Sequence, residues 1–250
     1  MENIEPTTIG VENFRDIGGH KANGRRVKQA MVYRSAKLDG LTNEGKKLLD
    51  TIGIKTIIDF RDDKEVASSP TSYTNNGLAT VRIPISSGDI KSFLPYLMSG
   101  KFKESDAQAL MCSAYRSFVT GFSSQYAQFL EILLNEESYP LLFHCTAGKD
   151  RTGYAAALLL LLLGVRWSDV LDSYLLTNSY LKDFLGKLDT GFIPETARKA
   201  FGVLMVADEQ YLDTAFNVIG KDHEGVCGYA NTVLNFDKEK QEKLKTILLE

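Results

Sequence analysis

The 250-residue chain has few of the residues that hold small secreted or metal-dependent proteins together. Its three cysteines, Cys112, Cys145 and Cys227, are an odd number without the spacing of a disulfide framework, so disulfide bonds are not expected to support the fold. Its three histidines are scattered along the chain, and no Cys/His spacing indicates a metal site. The sequence therefore predicts neither a metal ion nor another cofactor.

An excess of one charge and a long apolar run are also missing. The net charge of −3 argues against nucleic acid as a partner. The apolar run at 155–163 has nine residues, well short of a membrane span, so no integral membrane segment is expected. The N-terminal residues lack the basic and apolar regions of a signal peptide, which favours the cytoplasm. A leader removed beforehand would leave no trace, so secretion stays open as an alternative.

What remains is an ordinary globular composition, with 44% hydrophobic and 24% charged residues. We expect residues 1–250 to form a single domain, with a loose leader at 1–10. Apolar, β-branched residues predict a strand at 54–60 that is buried on both faces. Further strands are predicted at 30–33 and 80–85, and a short buried strand at 141–143. Helical spacing predicts helices at 43–52, 109–118, 125–134, 151–163, 170–183, 194–205, 209–219 and 238–249. Asn23-Gly24 predicts a hairpin turn, and residues 91–106 fit no pattern.

This alternation of strands and helices predicts an α/β fold. We expect a central, mainly parallel sheet flanked by helices, with a helix-rich C-terminal half. The stretch from Pro140 to Gly153 leaves a predicted strand at its carboxyl end, which is where open α/β sheets bind their ligands.

That stretch contains a cysteine and an arginine separated by five residues, Cys145 and Arg151. A loop of this length can wrap one tetrahedral oxyanion with its backbone N–H groups, and the N-terminus of the following helix adds partial positive charge. Such a potential favours the thiolate of Cys145 over the thiol, while the guanidinium of Arg151 can bind two oxygens at once. A plain buried cysteine is the alternative, but it would not need the charged run that follows. The predicted phosphate-binding residues are Thr146, Ala147, Gly148, Lys149, Asp150 and Arg151.

Three neighbouring side chains have predicted supporting roles. The Thr152 hydroxyl can donate to the sulfur of Cys145 when that sulfur leaves, or it can cap the helix. His144 is expected to order the loop through hydrogen bonds to the backbone rather than to act as a base, because a preformed thiolate needs none. The side chain of Lys149 is expected to point toward the mouth of the site.

The segment His144-Cys145-Thr146-Ala147-Gly148-Lys149-Asp150-Arg151-Thr152-Gly153 resembles the signature loop of the cysteine-dependent protein tyrosine phosphatases, in the variant of their atypical bacterial branch. Residues 13–19, 33–35, 57–61 and 174–178 are similar to further blocks of that branch, so the resemblance covers the chain from about Asn13 to the C-terminal helix. It implies the protein tyrosine phosphatase fold. It also implies activity on phosphotyrosine, often on phosphoserine or phosphothreonine, and on phosphoinositides.

The acid that protonates the leaving group is the least defined part of the predicted site. Many tyrosine phosphatases carry it in a Trp-Pro-Asp tripeptide, which this chain lacks. Asp150, inside the loop, is slightly favoured, and Asp89, after the third predicted strand, is the alternative; either can also be a solvated carboxylate. Asp59 and Arg61, at the end of another predicted strand, are expected to form a structural ion pair rather than to act in catalysis.

Together these residues predict a phosphatase that works through a cysteinyl-phosphate intermediate. Its expected partners are a phosphorylated protein or a phosphoinositide, and its oligomeric state is not fixed by the sequence. A phosphoinositide or inositol phosphate phosphatase is the first alternative. A phosphate-binding module without activity, a sulfurtransferase and an arsenate reductase are further ones. The last of these would need resolving cysteines near Cys145, and Cys112 and Cys227 do not have that spacing.

Overall fold

The computed structural model describes residues 9–71, 73–86, 90–187 and 189–250. Within these ranges the strands are β1 (Arg15–Asp16), β2 (Lys21–Ala22), β3 (Arg25–Arg26), β4 (Val32–Ser35), β5 (Thr56–Asp59), β6 (Ala79–Arg82) and β7 (Leu141–His144). Five of them form one sheet in the order β1-β4-β7-β5-β6. β4, β7, β5 and β6 are parallel, and β1 is antiparallel to β4. The predicted α/β fold with a mainly parallel sheet is confirmed.

The helices described are α1 (Asn43–Ile52), α2 (Asp63–Ser68), α3 (Ile90–Met98), α4 (Glu104–Thr120), α5 (Ser123–Ile132), α6 (Asp150–Leu162), α7 (Trp167–Tyr180), α8 (Lys182–Lys187), α9 (Glu195–Met205), α10 (Glu209–Asp222), α11 (Val226–Thr232) and α12 (Lys238–Leu248). Helices α6 to α12 all follow β7, as the expected helix-rich C-terminal half requires. Among the helices described, none has both the length and the apolar character needed to span a membrane.

The central strand β7 is buried on both faces of the sheet. Leu141 and Phe143 belong to the larger hydrophobic core, while Leu142 between them belongs to a smaller core that includes Leu49 of α1. Side chains alternate between the two faces of a strand, so both faces of β7 must be covered. Every residue of β4, β5 and β7 is buried in consequence. This burial holds the carboxyl end of β7, and the loop that follows it, in one place.

Local signals in the sequence placed several boundaries correctly. The Thr42 side chain caps α1 by accepting from the Gly45 N–H at 2.9 Å, and Gly53 ends that helix at φ 76°. Asn23 and Gly24, at φ 49° and 83°, form the turn between β2 and β3.

Other segments differ from the expectations. The unassigned residues 91–106 contribute to α3 and to the start of α4, and α11 was not expected because it is short and contains Gly228. Ile9 lies in the expected loose leader, yet it is buried in the smaller core. Residues 1–8 lie outside the described residues.

Candidate active site

The candidate site is the loop from Cys145 to Lys149, which joins β7 to α6 at the carboxyl edge of the parallel strands. Helix α6 is almost entirely buried, so its N-terminus is fixed against the core. Cys145 is 2% exposed and Arg151, in the first turn of α6, is 5% exposed. The structure therefore brings both predicted residues to one buried site.

The carbonyl groups of residues 145–148 all accept hydrogen bonds from groups that lie outside these four residues. These contacts are Cys145 O with His144 Nδ1 at 3.2 Å, Thr146 O with Lys37 N at 3.0 Å, Ala147 O with Asn13 Nδ2 at 3.1 Å, and Gly148 O with Asn13 Nδ2 at 2.8 Å and Arg34 Nη2 at 2.6 Å. In a trans peptide the N–H points away from the C=O. The N–H groups of residues 146–149 therefore point to the inside of the loop, which makes it an anion-binding nest.

Gly148 is required by the close approach of this loop to strand β4. Its φ of 64° lies in the left-handed region, and a Cβ there would lie 2.4 Å from the carbonyl oxygen of Ser35. Any side chain at this position would therefore push the loop away from β4 and distort the nest.

The guanidinium of Arg151 is held by a carboxylate that the sequence analysis did not identify. Glu65 of α2 accepts from Nη1 at 2.7 Å and from Nη2 at 2.7 Å, and its Oε1 also accepts from the Thr146 hydroxyl. Nη1 donates in addition to the carbonyl of Ile85 at 3.1 Å. These contacts fix the plane of the guanidinium and leave its Nε without a hydrogen bond in the described part of the chain, so that edge can receive an oxyanion.

The contact between Glu65 and Arg151 shifts the pKa of each group toward its charged form. Burial disfavours ionisation of Glu65, but the hydrogen bonds and charge of Arg151 outweigh it and lower the pKa of Glu65 to about 2. Burial likewise opposes the charged form of Arg151, but Glu65 and the nearby Cys145 raise the pKa of the guanidinium. Both groups are therefore ionised at neutral pH.

The local sequence contained a signal for Glu65. The Glu65 N–H donates to Asp62 Oδ1 at 2.9 Å, and the Asp62 N–H donates to Glu65 Oε2 at 2.9 Å. This reciprocal capping box begins a short helix just after a buried strand, which places a carboxylate at the edge of the sheet where the loop lies.

Arg34 of β4 is a second cation that the sequence analysis noted only within a block of family resemblance. It is 1% exposed and donates to the Gly148 carbonyl. Burial lowers the pKa of Arg34 to about 10, partly opposed by the nearby Cys145. Arg34 thus adds positive charge next to the loop, from the strand β4 that neighbours β7 on the side away from β5.

The expected ion pair at the end of β5 is confirmed. Arg61 Nη2 lies 2.8 Å from Asp59 Oδ2, and both side chains are buried. Asp59 Oδ1 also lies 3.9 Å from His144 Nδ1. Burial opposes ionisation of Asp59, but the hydrogen bonds from Arg61 and the nearby His144 lower its pKa.

Lys149 and Asp150 contact each other instead of extending separately into the site. Lys149 Nζ lies 2.8 Å from Asp150 Oδ1 and donates to the Val206 carbonyl at 3.1 Å, and its side chain is 4% exposed. The expectation that this side chain points toward the mouth of the site is therefore wrong, because the ammonium is engaged inside the protein. Asp150 Oδ1 also accepts from the Tyr115 hydroxyl at 3.0 Å, and the Asp150 side chain is 29% exposed.

The predicted roles of Thr152, His144 and Asp89 compare differently with the structure. Thr152 Oγ1 is buried and has no hydrogen-bond partner among the described residues, so neither donation to sulfur nor helix capping by this hydroxyl is observed. His144 contacts the Cys145 carbonyl, while its Nε2 has no partner among the same residues. Asp89, the alternative acid, lies outside the described residues.

This arrangement is suited to binding one tetrahedral oxyanion above a buried sulfur. The inward N–H groups and Arg151 supply donors that are already in place before an anion arrives, so little reorganisation is needed. Cys145 lies at the start of the same loop, within reach of whatever the loop binds.

The chain is similar to known proteins over most of its length. A profile of the tyrosine phosphatase family matches residues 6–250. A provisionally named tyrosine-protein phosphatase of Cupriavidus necator is 31% identical over 235 residues, covering 91% of this chain and 83% of that protein. The triple specificity protein phosphatase PtpB of Mycobacterium tuberculosis is 27% identical over 253 residues, covering 88% of this chain and 90% of that protein. The core catalytic domain of the PP-IP phosphatase SIW14 from S. cerevisiae has a TM-score of 0.39 at 17% identity, covering 86% of this chain and 95% of that one. The match of a family profile to nearly the whole chain shows that it belongs to the tyrosine phosphatase family.

Proposed function

We propose that this protein hydrolyses phosphate monoesters through a cysteinyl-phosphate intermediate on Cys145. The observation that supports it most directly is the set of four outward carbonyls, which turns the N–H groups of residues 146–149 inward around one anion. The substrates we propose are phosphotyrosine proteins, together with phosphoserine or phosphothreonine proteins and phosphoinositides. The name of the Mycobacterium tuberculosis relative, with its triple specificity, supports this breadth.

In the first step the Cys145 thiolate attacks phosphorus. The S–P bond forms while the bond between phosphorus and the leaving oxygen breaks, and the leaving oxygen takes a proton from an acid. Charge on the equatorial oxygens is met by the loop N–H groups and by the Nε edge of Arg151. We assign the acid role to Asp150, whose carboxylate is partly exposed and bordered by Lys149 and Tyr115.

In the second step water attacks the phosphorus of the cysteinyl-phosphate. The S–P bond breaks, inorganic phosphate leaves, and the proton from water goes to Asp150. The Thr152 hydroxyl, which has no partner among the described residues, is free to donate to the departing sulfur. His144 keeps the start of the loop in place by donating from Nδ1 to the Cys145 carbonyl.

The decisive experiment measures hydrolysis of p-nitrophenyl phosphate with a chelator present. The wild-type protein should be active and Cys145→Ser inactive, because serine has no accessible anion at neutral pH. Cys227→Ser is the matched control, since Cys227 is exposed and outside the site. An acid quench during turnover should trap phosphate on Cys145, detectable by peptide mass.

Two outcomes would contradict the proposal. Turnover by Cys145→Ser beyond a trace would exclude the covalent mechanism. If the wild-type protein does not hydrolyse p-nitrophenyl phosphate but transfers sulfur in a cysteine-dependent reaction, the protein is a sulfurtransferase and not a phosphatase. Substrate breadth is then tested by comparing kcat/KM for phosphotyrosine peptides, phosphoserine peptides and phosphoinositides. A preference for phosphoinositides over all peptides would favour a lipid phosphatase instead.

A further inference from the structure

A buried asparagine far from the loop in sequence holds two of the four outward carbonyls. Asn13 is 0% exposed, and its Nδ2 donates to Ala147 O at 3.1 Å and to Gly148 O at 2.8 Å. Its backbone φ of 60° is left-handed, a conformation that asparagine tolerates better than most residues. Both N–H groups of this amide therefore donate to carbonyl groups of the loop.

The orientation of that amide is set by a second buried residue, Arg15 of β1. Its Nη1 donates to Asn13 Oδ1 and to the Asn13 backbone carbonyl, the latter at 3.2 Å. A guanidinium has donors only, so it can contact the oxygen of the Asn13 amide and not the nitrogen. The amide nitrogen must therefore face the loop carbonyls.

Arg15 is anchored in turn to helix α7. Its Nη2 donates to Ser173 O at 3.1 Å and to Thr177 Oγ1 at 3.1 Å, and the Tyr180 ring lies 5.0 Å from its guanidinium carbon. No carboxylate pairs with it among the described residues. Burial lowers the pKa of Arg15 well below its usual value, and Arg34 lowers it further. A buried cation without an ion pair is unfavourable for stability, so its position calls for an explanation other than packing.

The consequence for the loop follows from peptide geometry. Fixing the carbonyls of residues 147 and 148 fixes the N–H groups of residues 148 and 149, which point the opposite way. Gly148 makes the adjoining peptides easy to rotate, because glycine has access to many backbone conformations. Without Asn13, the Ala147 carbonyl has no donor and the Gly148 carbonyl keeps only Arg34, so these two N–H groups are freer to turn away from the bound anion.

We propose that Asn13, oriented by Arg15, is a positioning residue that keeps the N–H groups of Gly148 and Lys149 directed at the bound oxyanion. This inference rests on the proposed function, since it assigns the same loop to a phosphate group. It links the N-terminal segment and helix α7 to the loop through one chain of hydrogen bonds.

Two variants test the role while preserving the backbone. Asn13→Asp is isosteric and keeps an acceptor for Arg15, but it places an anionic oxygen against the carbonyls of Ala147 and Gly148. Asn13→Gly keeps the left-handed backbone and removes the amide. Asn23→Gly is the matched control, because Asn23 has a φ of 49° in the exposed β2–β3 turn.

The first readout is calorimetric binding of tungstate to each variant in the Cys145→Ser background. Both Asn13 variants should bind roughly 10- to 100-fold more weakly than Cys145→Ser alone, since the Ala147 carbonyl loses its donor, the Gly148 carbonyl keeps only Arg34, and two inward N–H groups lose support. The second readout, in proteins that keep Cys145, is the ratio of alkylation rates at Cys145 by iodoacetate and by iodoacetamide. Only the first reagent is an anion, so the ratio reports the attraction of the loop for anions and should fall several-fold. Asn23→Gly should change neither.

Unchanged tungstate affinity and an unchanged alkylation ratio in folded Asn13→Asp and Asn13→Gly would overturn the inference. Equal losses in Asn23→Gly would also overturn it, because they would reflect general destabilisation. A wild-type protein without phosphatase activity would refute the proposed function alone, as tungstate binding by Cys145→Ser still tests the role of Asn13.

Discussion

Replacing Glu65 with glutamine should destabilise the protein in a way that depends on pH. Glu65 binds both Nη atoms of Arg151 at 2.7 Å, and glutamine removes the negative charge while keeping the shape of the side chain. Arg151 would then remain buried, with its side chain 6% exposed, beside a neutral group. Because a buried cation that loses its partner is unfavourable, the stability of the folded protein must fall.

The size of the effect follows from the pKa of Glu65, which is lowered from 4.5 to about 2. At about 1.4 kcal/mol per pKa unit, this corresponds to an upper limit of about 3 kcal/mol. The Glu65 side chain is 22% exposed, so water screens part of the interaction. We therefore expect Glu65→Gln to lower the free energy of unfolding at pH 7 by roughly 1 to 2 kcal/mol.

The sign of the pH dependence is also fixed. The folded pKa of Glu65 is lower than its unfolded value, so its ionised form stabilises the folded protein fully above about pH 4.5. This stabilisation is lost as the pH falls from 4.5 toward 2. Glutamine does not titrate, so the difference between wild type and variant should be largest at neutral pH and should shrink below pH 4.5.

Urea unfolding of both proteins at several pH values between 7 and 3 measures this difference. Glu242→Gln is the control, because Glu242 pairs with Lys245 at the surface, where ion pairs contribute little. Equal stability of wild type and Glu65→Gln at pH 7 would refute the reasoning. So would a difference that stays constant down to pH 3, since it would not come from the ionisation of Glu65.

Three further substitutions test the proposed mechanism. Arg151→Lys should lose both anion affinity and turnover, because one ammonium cannot bind Glu65 and an oxyanion in the way a planar guanidinium does; near-normal kinetics would remove Arg151 from the site. Asp150→Asn should slow aryl phosphates with poor leaving groups more than activated ones, and equal slowing across the series would make Asp150 structural. Lys149→Met should lower kcat/KM several-fold on a phosphotyrosine peptide and a phosphoinositide alike, since its ammonium contacts Asp150 and Val206. A loss confined to the phosphoinositide would show that Lys149 contacts the headgroup after all.

Much of the fold was predictable because its signals are local. The β-branched run at 54–60 predicted a doubly buried strand, and β5 is buried at every residue. The predicted helix at 43–52 matches α1, since the Thr42 cap and the left-handed Gly53 that bound it depend only on the nearest turn of the helix. No structure was predicted for residues 91–106, because Pro95 lies inside α3 and proline disfavours the interior of a helix, so local preference did not reveal this helix.

The sequence by itself also predicted where the candidate site lies. Cys145 and Arg151, separated by five residues between a strand and a helix, indicate an anion-binding loop, because a loop and the helix after it are adjacent in both sequence and space. What surrounds that loop was decided by tertiary structure. Glu65 reaches Arg151 across 86 residues, and Asn13 reaches Gly148 across 135. These contacts exist because β7 lies between β4 and β5 in the sheet, which brings the segments next to those two strands to opposite sides of the loop. No local pattern encodes that order, since it results from how the whole core packs.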